Sequence, residues 1–330
     1  MGLLPFEKMH RQLLVRKDAE TNPKYGCNPL SRPIAELLQH SIVIIDKPAG
    51  PTSHQVSAYV KRILNLEKAG HSGTLDPQVT GVLPVALGSA TRIVQSLLTS
   101  GKEYICVMHV HADKDEAAVR AALDHFTGKI KQLPPVKSAI KREWRFRKVY
   151  YSEFLEQHGR DVLFVTGTQA GTYIRKLCHD IGEYLGCGAH MAELRRTKAG
   201  PFGEKDLATL QDLTDALHYY KEEGREEMLR RILHPIEDGA YHLGKIYVLD
   251  STVDALCHGM QLKVPGIAKV ETEIQKDDSV AVMSLKGELI LVGVSLLTSK
   301  EHQTVERGLA VKTEQVFMKI GVYPRTDAQS

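Results

Sequence analysis

The apolar and polar positions between residues 41 and 240 follow two different periods. The apolar run Ser41–Asp46 and the alternating segment Glu103–His111 have the length and pattern of strands. Apolar residues recur at helical spacing from Val56 to Leu64 and again from Ile174 to Leu185. Because strands and helices mix without strict alternation, the pattern predicts an α+β fold with a mixed sheet.

The pattern changes near Leu243, where short β-type runs are separated by Gly, Asp and Lys turns and little helix is predicted. This spacing is typical of a small β-barrel or sandwich of about 80 residues. The β-type runs are Lys245–Leu249, Ser279–Leu285, Glu288–Leu296 and Leu309–Met318. We therefore place a first domain at residues 41–240 and a second at residues 241–325.

The first 40 residues are polar and irregular, and several prolines interrupt any long helix. The prolines are Pro5, Pro23, Pro29 and Pro33. This N-terminal extension is either disordered or an arm laid across another domain, and its composition favours disorder.

The composition is that of an ordinary globular protein, with 42% hydrophobic and 25% charged residues among 330. This composition excludes the possibility that the whole chain is a collagen, a coiled coil or a disordered protein. The 43 Lys and Arg residues nearly balance 40 Asp and Glu residues, so any nucleic-acid surface must be a local basic patch. The uncharged stretch Pro77–Thr91 is too short and too interrupted by Gly and Pro to cross a bilayer.

Five cysteines are scattered along the chain without a C-x-x-C pair. This arrangement argues against a disulfide framework and favours a reducing compartment. The chain has no dinucleotide-binding, P-loop or H-E-x-x-H motif, and its adjacent Cys–His pairs diverge on any regular element. The sequence therefore predicts neither a cofactor nor a metal site.

Asp76 lies in the segment Ala69–Gly81, AGHSGTLDPQVTG, between two structured pieces. Pro77 disfavours the α conformation at Asp76, and the flanking glycines allow a close backbone approach. The pattern presents one carboxylate on a rigid loop beside His71 and Thr74, which suits a catalytic carboxylate. By itself, the same pattern also fits an Asp–Pro turn without any chemistry.

Arg175 lies in the first turn of a helix that begins near Thr172. A cation there opposes the helix macrodipole at a cost of about 0.3–1 kcal/mol. A residue placed against this local preference indicates a partner elsewhere in the fold, and a carboxylate is the obvious one. A solvated surface arginine is the alternative.

The run Pro134–Tyr151 is strongly basic and contains two aromatic residues, Trp144 and Phe146. Basic residues that alternate with aromatic ones suit a strand or loop that grips a phosphate backbone and stacks on bases. The alternative is a twisted edge strand that its charges protect from further pairing. The sequence does not decide between the two.

Several motifs occur in the order found in the TruB/dyskerin family of pseudouridine synthases, and the chain most closely resembles the archaeal H/ACA catalytic subunits. The motifs are VIIDKPAGPTSH at 43–54, GHSGTLDPQVTGVLPVALGSATRI at 70–93, GKEY at 101–104, GTYIRKLCHDIG at 171–182 and AHMAELRRTKAGPF at 189–202. The later region, with VPGI, LKGEL, RGLAV and VYP, resembles a PUA RNA-binding domain. The resemblance implies a pseudouridine synthase catalytic domain at 41–240, a β-barrel PUA domain at 241–325, and an extension at 1–40 that is free to pack on the PUA domain.

The resemblance also implies a set of site residues. The implied catalytic residues are Asp76 as nucleophile, Tyr104 as base-stacking residue and acid or base, Arg175 as ion-pair partner of Asp76, and Leu194 as pocket wall. The RNA-binding residues that the resemblance implies are Lys47 and His71, and the composition of the basic run adds Lys137, Lys141, Arg142 and Arg145 as predicted RNA-binding residues. His71 matches a position that assists nucleotide flipping in relatives, and Lys47 belongs to the floor of the active site. We expect the ion pair to keep the nucleophile charged in a dry pocket.

The activity that the resemblance implies is the isomerisation of uridine to pseudouridine in ribosomal RNA, by the catalytic subunit of an H/ACA ribonucleoprotein. Its partners would be a guide RNA and small core proteins. The same chemistry without a guide, on the T-loop uridine of tRNA, is a second hypothesis. A non-catalytic RNA scaffold or chaperone is the alternative from another class, but a scaffold does not need a carboxylate in an RNA cleft. The chain ends without the lysine-rich tail of nuclear relatives, so we expect an archaeal, cytoplasmic protein that does not bind membranes.

Overall fold

The computed structural model describes residues 2–134 and 142–325. Within them the strands, in chain order, are β1 (Leu13–Val15), β2 (Ser41–Lys47), β3 (Ala69–His71), β4 (Thr80–Leu87), β5 (Lys102–Val110), β6 (Gly128–Gln132), β7 (Arg145–His158), β8 (Asp161–Thr168), β9 (Ala189–Ala199), β10 (Phe202–Gly203), β11 (His234–Pro235), β12 (Gly244–Val248), β13 (Leu262–Lys263), β14 (Ile267–Glu271), β15 (Ser279–Ser284), β16 (Leu289–Ser295) and β17 (Leu309–Val316). The helices are α1 (Ile34–Leu37), α2 (Ser53–Ile63), α3 (Val94–Thr99), α4 (Glu116–His125), α5 (Ile174–Tyr184), α6 (Leu210–Glu223), α7 (Glu227–Ile232), α8 (Ile236–Gly239), α9 (Asp250–Cys257) and α10 (Ser299–Thr304). In this described part, no helix combines the length and apolar character needed to cross a membrane.

Strands β2 to β11 form one mixed sheet. Its hydrogen-bonded neighbours follow the order β11-β2-β4-β9-β5-β8-β7-β6, while β3 pairs with β4 and β10 with β9. The β4–β9 pair is parallel, and β4–β2 and β9–β5 are antiparallel. The predicted α+β fold with a mixed sheet is confirmed. Because β4, β9 and β5 are neighbours, motifs that are far apart in the sequence meet at the centre of the sheet.

The first strand of this sheet, β2, is buried on both faces, which explains its continuous apolar run. Val43 and Ile45 pack in a cluster with α2, α6 and α7. Ile42 and Ile44 face the other way and share a cluster with residues of β15 and β16. A further cluster, which includes Cys106, fills the space between the sheet and helices α4 and α5. Apolar packing on both faces therefore holds the sheet and its helices together.

The remaining strands form a second sheet, in the order β1-β14-β12-β15-β16-β17-β13. All of these strands belong to one sheet. A small barrel is made of a single sheet, whereas a sandwich is made of two, so the structure favours the barrel of the two predicted alternatives. The structure has little helix after Leu243, as predicted, but the sequence pattern did not locate α9, whose Val253 and Leu256 are buried in the core of the sheet. Eight residues make about two turns, which is too short to show a helical period in the sequence.

The N-terminal residues 2–40 form an arm that contacts both sheets, so the preference for disorder is wrong. Leu4 is fully buried and packs against Tyr151 of the first sheet. Strand β1 pairs with β14 and so extends the second sheet. Arg32 forms a buried ion pair with Glu237 at 2.8 Å. The arm contacts residues that are distant in the chain, and local composition does not report such contacts.

Buried histidines make the stability of this fold depend on pH. His302 of α10 is fully buried and shares a hydrogen bond with Ser295 Oγ at 2.8 Å. Burial lowers the pKa of His302, His40 and His242 from 6.5 to about 4. Below pH 6.5 the unfolded chain therefore binds protons that the folded chain does not bind until about pH 4.

We expect the free energy of unfolding to be greatest above pH 6.5 and to fall as the pH drops toward 4, by about 3 kcal/mol for each such histidine. Denaturant unfolding at a series of pH values measures this change. His302→Gln keeps a side chain that can bond to Ser295 but does not titrate. This variant should therefore lose the part of the pH-dependent fall in the free energy of unfolding that His302 contributes. A free energy of unfolding that stays constant between about pH 7 and pH 4.5 would contradict the prediction.

Candidate active site

Asp76 lies in the loop between β3 and β4 (residues 72–79, here the Asp76 loop), and buried neighbours fix this loop on both sides. Leu75 and Val79 are almost fully buried. The Leu75 N–H donates to Ser53 Oγ at 2.8 Å, and Ser53 begins α2. The Val79 N–H donates to the Asp76 carbonyl oxygen at 3.0 Å, which closes a turn around Pro77. The backbone is therefore held while 55% of the Asp76 side chain stays exposed.

Lys47 supports the same loop from inside the protein. Its side chain is fully buried, and its ammonium donates three hydrogen bonds to backbone carbonyl oxygens. The acceptors are Pro48, Pro77 and Val79, at 2.8, 2.9 and 2.9 Å. Burial lowers the pKa of Lys47 and the charge of Arg196 acts in the same direction, while Asp76 opposes them. Because no ammonium proton remains for a phosphate, the prediction that Lys47 binds RNA is wrong, and Lys47 instead holds the Asp76 loop.

Arg175 and Asp76 are 99 positions apart in the sequence and in contact in the structure. An Nη atom of Arg175 donates to Asp76 Oδ2 at 2.7 Å. Arg175 is the second residue of α5, whose N-terminal cap is Tyr173 in an extended conformation. The Arg175 side chain is 63% exposed, so water reaches the ion pair from the open side. The expected dry pocket is therefore not present in the protein alone, and a bound base would have to close it.

Tyr104 and Leu194 lie on adjacent strands of the first sheet. Tyr104 on β5 is opposite Arg196 on β9, and Leu194 on β9 is opposite Cys106 on β5. Both Tyr104 and Leu194 are partly buried against the apolar cluster between the sheet and α5. Since α5 also carries Arg175, the structure places the strands that bear Tyr104 and Leu194 beside the helix that bears the ion-pair partner of Asp76.

Arg196 is a residue of this site that the sequence analysis missed. Its side chain is fully buried, and it donates from Nε to the Val82 carbonyl oxygen at 2.7 Å and from Nη2 to that of Gly73 at 3.2 Å. Burial lowers the pKa of Arg196, whereas its hydrogen bond with Tyr104 raises it. Arg196 therefore ties β4, the Asp76 loop and Tyr104 together. The sequence did contain a signal for Arg196, because residues two positions apart in a strand share a face, and Arg196 lies two residues after Leu194 on β9.

His71 ends β3, directly before the Asp76 loop, and is partly buried. Burial lowers the pKa of His71, and the positive charges of Arg196 and His54 lower it further. The imidazole is therefore neutral at about pH 7 and can pack against a base without adding charge. Within residues 2–134 and 142–325, no group of three or more His, Cys, Asp and Glu side chains is placed to hold a metal ion.

The basic run takes part in a two-stranded ribbon, in which residues 145–149 pair with β6 and residues 142–144 lead into the paired strand (residues 128–132 and 142–149, here the ribbon). Residues 145–148 pair with β6 but not with β8, and β6 is the last strand of the sheet. Arg142 and Arg145 belong to the ribbon, whereas Lys137 and Lys141 lie outside the described residues. Part of the basic run therefore forms a strand, as the edge-strand alternative predicted. The strand at the edge of the sheet, however, is β6 and not the basic run itself.

Two exposed aromatic rings and two lysines line the ribbon. The Trp144 and Phe146 side chains are 59% and 57% exposed. Lys131 lies over the Trp144 ring at 4.9 Å, and Lys129 lies over the Phe146 ring at 4.3 Å. These lysines come from β6, and the sequence analysis missed them because only strand pairing brings them beside the rings. The geometry combines a charged edge strand with a surface on which bases can stack.

Four family models match successive parts of the chain. They describe a DKCLD domain at residues 3–57, the N-terminal domain of TruB family pseudouridylate synthases at 61–117, the C-terminal domain of tRNA pseudouridylate synthase B at 175–240, and a PUA domain at 244–317. The chain is 53% identical over 322 residues to the probable tRNA pseudouridine synthase B of Methanopyrus kandleri, a match that covers 98% of this chain and 95% of the relative. The chain belongs to the TruB family of pseudouridylate synthases.

Other TruB-family proteins and solved structures are similar over the same length. The probable tRNA pseudouridine synthase B of Pyrococcus horikoshii is 53% identical over 324 residues, which cover 98% of this chain and 97% of the relative. A chain in the crystal structure of a Cbf5-Nop10-Gar1 complex has a TM-score of 0.94 and 51% identity, with 98% of each chain covered. A chain in the structure of an H/ACA RNP bound to a substrate RNA containing 2'-deoxyuridine has a TM-score of 0.92 and 49% identity, with 98% of this chain and 100% of that chain covered.

The matches cover the elements that form the site of this TruB-family enzyme. The match at 61–117 includes the Asp76 loop and Tyr104, and the match at 175–240 includes Arg175 and Leu194. The PUA match at 244–317 includes β12 to β17 and leaves out only β1 of the second sheet. The chain is therefore a pseudouridine synthase with a PUA domain.

Proposed function

We propose that this chain is the catalytic subunit of an H/ACA ribonucleoprotein that converts chosen uridines of ribosomal RNA to pseudouridine under the direction of a guide RNA. The support comes from the similarity, over nearly the whole chain, to chains in H/ACA RNP and Cbf5-Nop10-Gar1 structures. Its partners would be the guide RNA and small core proteins. The relatives named tRNA pseudouridine synthase B support a second substrate, the T-loop uridine of tRNA.

The observation that carries the proposal is the contact between Arg175 and Asp76 at 2.7 Å. Pseudouridine forms when the N1–C1′ bond breaks, the uracil turns and a C5–C1′ bond forms, while C5 loses a proton and N1 gains one. All atoms of uridine remain in the product, so the reaction is an isomerisation. Asp76 is the nucleophile that engages the nucleoside, and the guanidinium of Arg175 holds its carboxylate by a charge-assisted hydrogen bond.

The other residues of the site receive and enclose the base. The target nucleotide must leave its stack at a cost of a few kcal/mol, and stacking on Tyr104 would return about 1–3 kcal/mol. Leu194 forms a wall, and His71 assists the flipping of the nucleotide. Because the ion pair is open in the free protein, the entering base itself removes water from the Asp76 carboxylate.

We further propose that three segments of the chain have different roles. Residues 41–240 form the catalytic domain, residues 241–325 form the PUA domain that holds the guide RNA, and residues 1–40 join the two. Support comes from β1, which pairs within the second sheet, and from Leu4, which packs on the first. We place the protein in the cytoplasm, because its five scattered cysteines, without a C-x-x-C pair, are typical of a protein in a reducing compartment.

The experiment that tests the function measures tritium release from RNA labelled with [5-³H]uridine. We expect the full chain to release tritium from ribosomal RNA fragments only with a matching guide RNA and the small core proteins. A tRNA transcript should release tritium without a guide. Tight RNA binding without release under either condition would overturn the proposal and leave an RNA scaffold.

We expect the ribbon to bind RNA phosphates. The double substitution Lys129→Ala and Lys131→Ala should weaken RNA binding and reduce the slope of log Kd against log salt by about 0.7–0.9 for each phosphate that the variant no longer neutralises. Filter binding at several salt concentrations measures the slope. The double substitution Lys221→Ala and Arg225→Ala at the end of α6 is the control, because it removes the same amount of positive charge and Arg225 also lies over an aromatic ring. We expect this control to leave the slope unchanged. Equal slopes for both variants would show that the ribbon charges only protect a sheet edge.

A further inference from the structure

The base of the ribbon is hydrogen-bonded to the segment 169–173, which leads directly into α5. The Gln169 N–H donates to the Lys148 carbonyl oxygen at 2.8 Å, and the Lys148 N–H donates to Gln169 Oε1 at 3.1 Å. Arg147 Nε donates to the Gly171 carbonyl oxygen at 3.2 Å. These bonds join the exposed ribbon to the backbone just before the helix that carries Arg175.

The innermost of these connections is made by Gln132, the last residue of β6. Its side chain is only 2% exposed, and both ends of its amide bond to the backbone of Tyr173. The Tyr173 N–H donates to Gln132 Oε1 at 3.0 Å, and Gln132 Nε2 donates to the Tyr173 carbonyl oxygen at 3.2 Å. One side chain therefore replaces a pair of backbone hydrogen bonds and fixes the position of a single residue in two directions.

The residue that Gln132 fixes lies at the start of α5. Tyr173 is the N-terminal cap, and its carbonyl oxygen also accepts the helical bond from the Leu177 N–H at 3.0 Å. Arg175 follows two residues later and reaches Asp76. The Tyr173 side chain makes no capping hydrogen bond to the helix, so the first turn depends on its neighbours for its position.

We propose that Gln132 is a positioning residue that couples the ribbon to the Asp76–Arg175 ion pair. RNA seated on the ribbon holds β6 in place, β6 holds Gln132, and Gln132 holds Tyr173 and with it the first turn of α5. The inference rests on the proposed function, because it gives the RNA-binding ribbon a direct effect on the chemical step. Loss of Gln132 should therefore slow the isomerisation much more than it weakens RNA binding.

The test compares Gln132→Met with wild type, using a tRNA transcript labelled with [5-³H]uridine. Met keeps the approximate volume of the side chain and removes both hydrogen bonds. We expect the single-turnover rate of tritium release to fall about 10–100-fold, because a small displacement of a catalytic group has an effect of this size. The Kd for the transcript should stay within about twofold of wild type.

Gln157→Met is the matched control. Like Gln132, Gln157 makes two hydrogen bonds from its amide to the backbone, but at the opposite end of β7. Gln157 Nε2 donates both of them, to the carbonyl oxygens of Lys114 at 2.8 Å and Gly159 at 3.0 Å. Its substitution should change neither the rate nor the Kd. If both Met variants slow the reaction equally, or if the Gln132 variant loses rate and affinity by the same factor, Gln132 is only a structural residue.

Gln132→Glu provides a second test if the Met variant folds poorly. A protonated carboxyl group can accept from the Tyr173 N–H and donate to its carbonyl oxygen, whereas an ionised carboxylate faces that carbonyl without a donor. We expect the rate relative to wild type to rise as the pH is lowered from about 8 to 6, since burial raises the pKa of a carboxyl group. A ratio that is independent of pH would overturn the proposal. An inactive wild type would contradict the proposed function instead, so the two failures are distinguishable.

Discussion

Asp76→Asn should abolish tritium release and leave RNA binding intact. The amide has nearly the same shape as the carboxylate but cannot act as a nucleophile or carry the charge that Arg175 stabilises. Loss of a nucleophile lowers rates by at least about 10⁴-fold in enzymes of other classes, and we expect a similar effect here. Because the Asp76 loop is held by Lys47, Ser53 and its own turn, the variant should fold as the wild type does.

Two measurements on each variant decide this prediction: single-turnover tritium release and the Kd for the same RNA. Asp124→Asn is a matched control, because Asp124 is an exposed residue of α4 and its substitution removes the same charge. The control should keep both the rate and the Kd of the wild type. Turnover by Asp76→Asn within about tenfold of wild type would show that another group performs the chemistry.

The second large effect is expected for Arg175→Ala. Its guanidinium is bonded to Asp76 at 2.7 Å, and in the occupied site this bond lies in a drier environment where it is stronger. Removal of one such interaction with a reacting group reduces rates by about 10²–10³-fold, and we expect an effect of this size with little change in RNA affinity. Arg175→Lys should recover only part of the rate, because an ammonium is a compact point charge on a flexible stem.

Lys176→Ala provides the control for this experiment. Lys176 is the next cation on α5, but it pairs with Asp180 rather than with Asp76. The same charge change at this position should leave the rate within about twofold, as is usual for a surface ion pair. An unchanged rate for Arg175→Ala would show that the contact with Asp76 has no part in the reaction.

The local features of the fold could be predicted from the sequence, because they depend on neighbours in the chain. The strand at Ser41–Lys47 and the helix at Ile174–Tyr184 follow from apolar spacing within short segments. The position of Asp76 on a rigid loop follows from its proline and glycines. Short elements such as α9 could not be predicted, because eight residues hold too few periods to be recognised.

Features of the site that depend on contacts between distant segments could not be predicted. Lys47 has the chemistry of an RNA-binding residue, but its ammonium is used inside the protein by three backbone carbonyls. Lys129 and Lys131 become neighbours of Phe146 and Trp144 only when β6 pairs with β7. Arg196 could have been found from its two-residue distance to Leu194, but its bonds to β4 and to the Asp76 loop depend on the order of the strands.

The sequence by itself determined the class of fold, the family and the carboxylate, since periodicity, turn chemistry and ordered motifs are properties of short segments. The tertiary structure alone decided which charges meet and which remain available to RNA. Arg175 reaches Asp76 because β4, β9 and β5 are neighbours and α5 packs beside them. The N-terminal arm is ordered for the same reason, since its few apolar residues gain burial only on surfaces that the rest of the chain must first build.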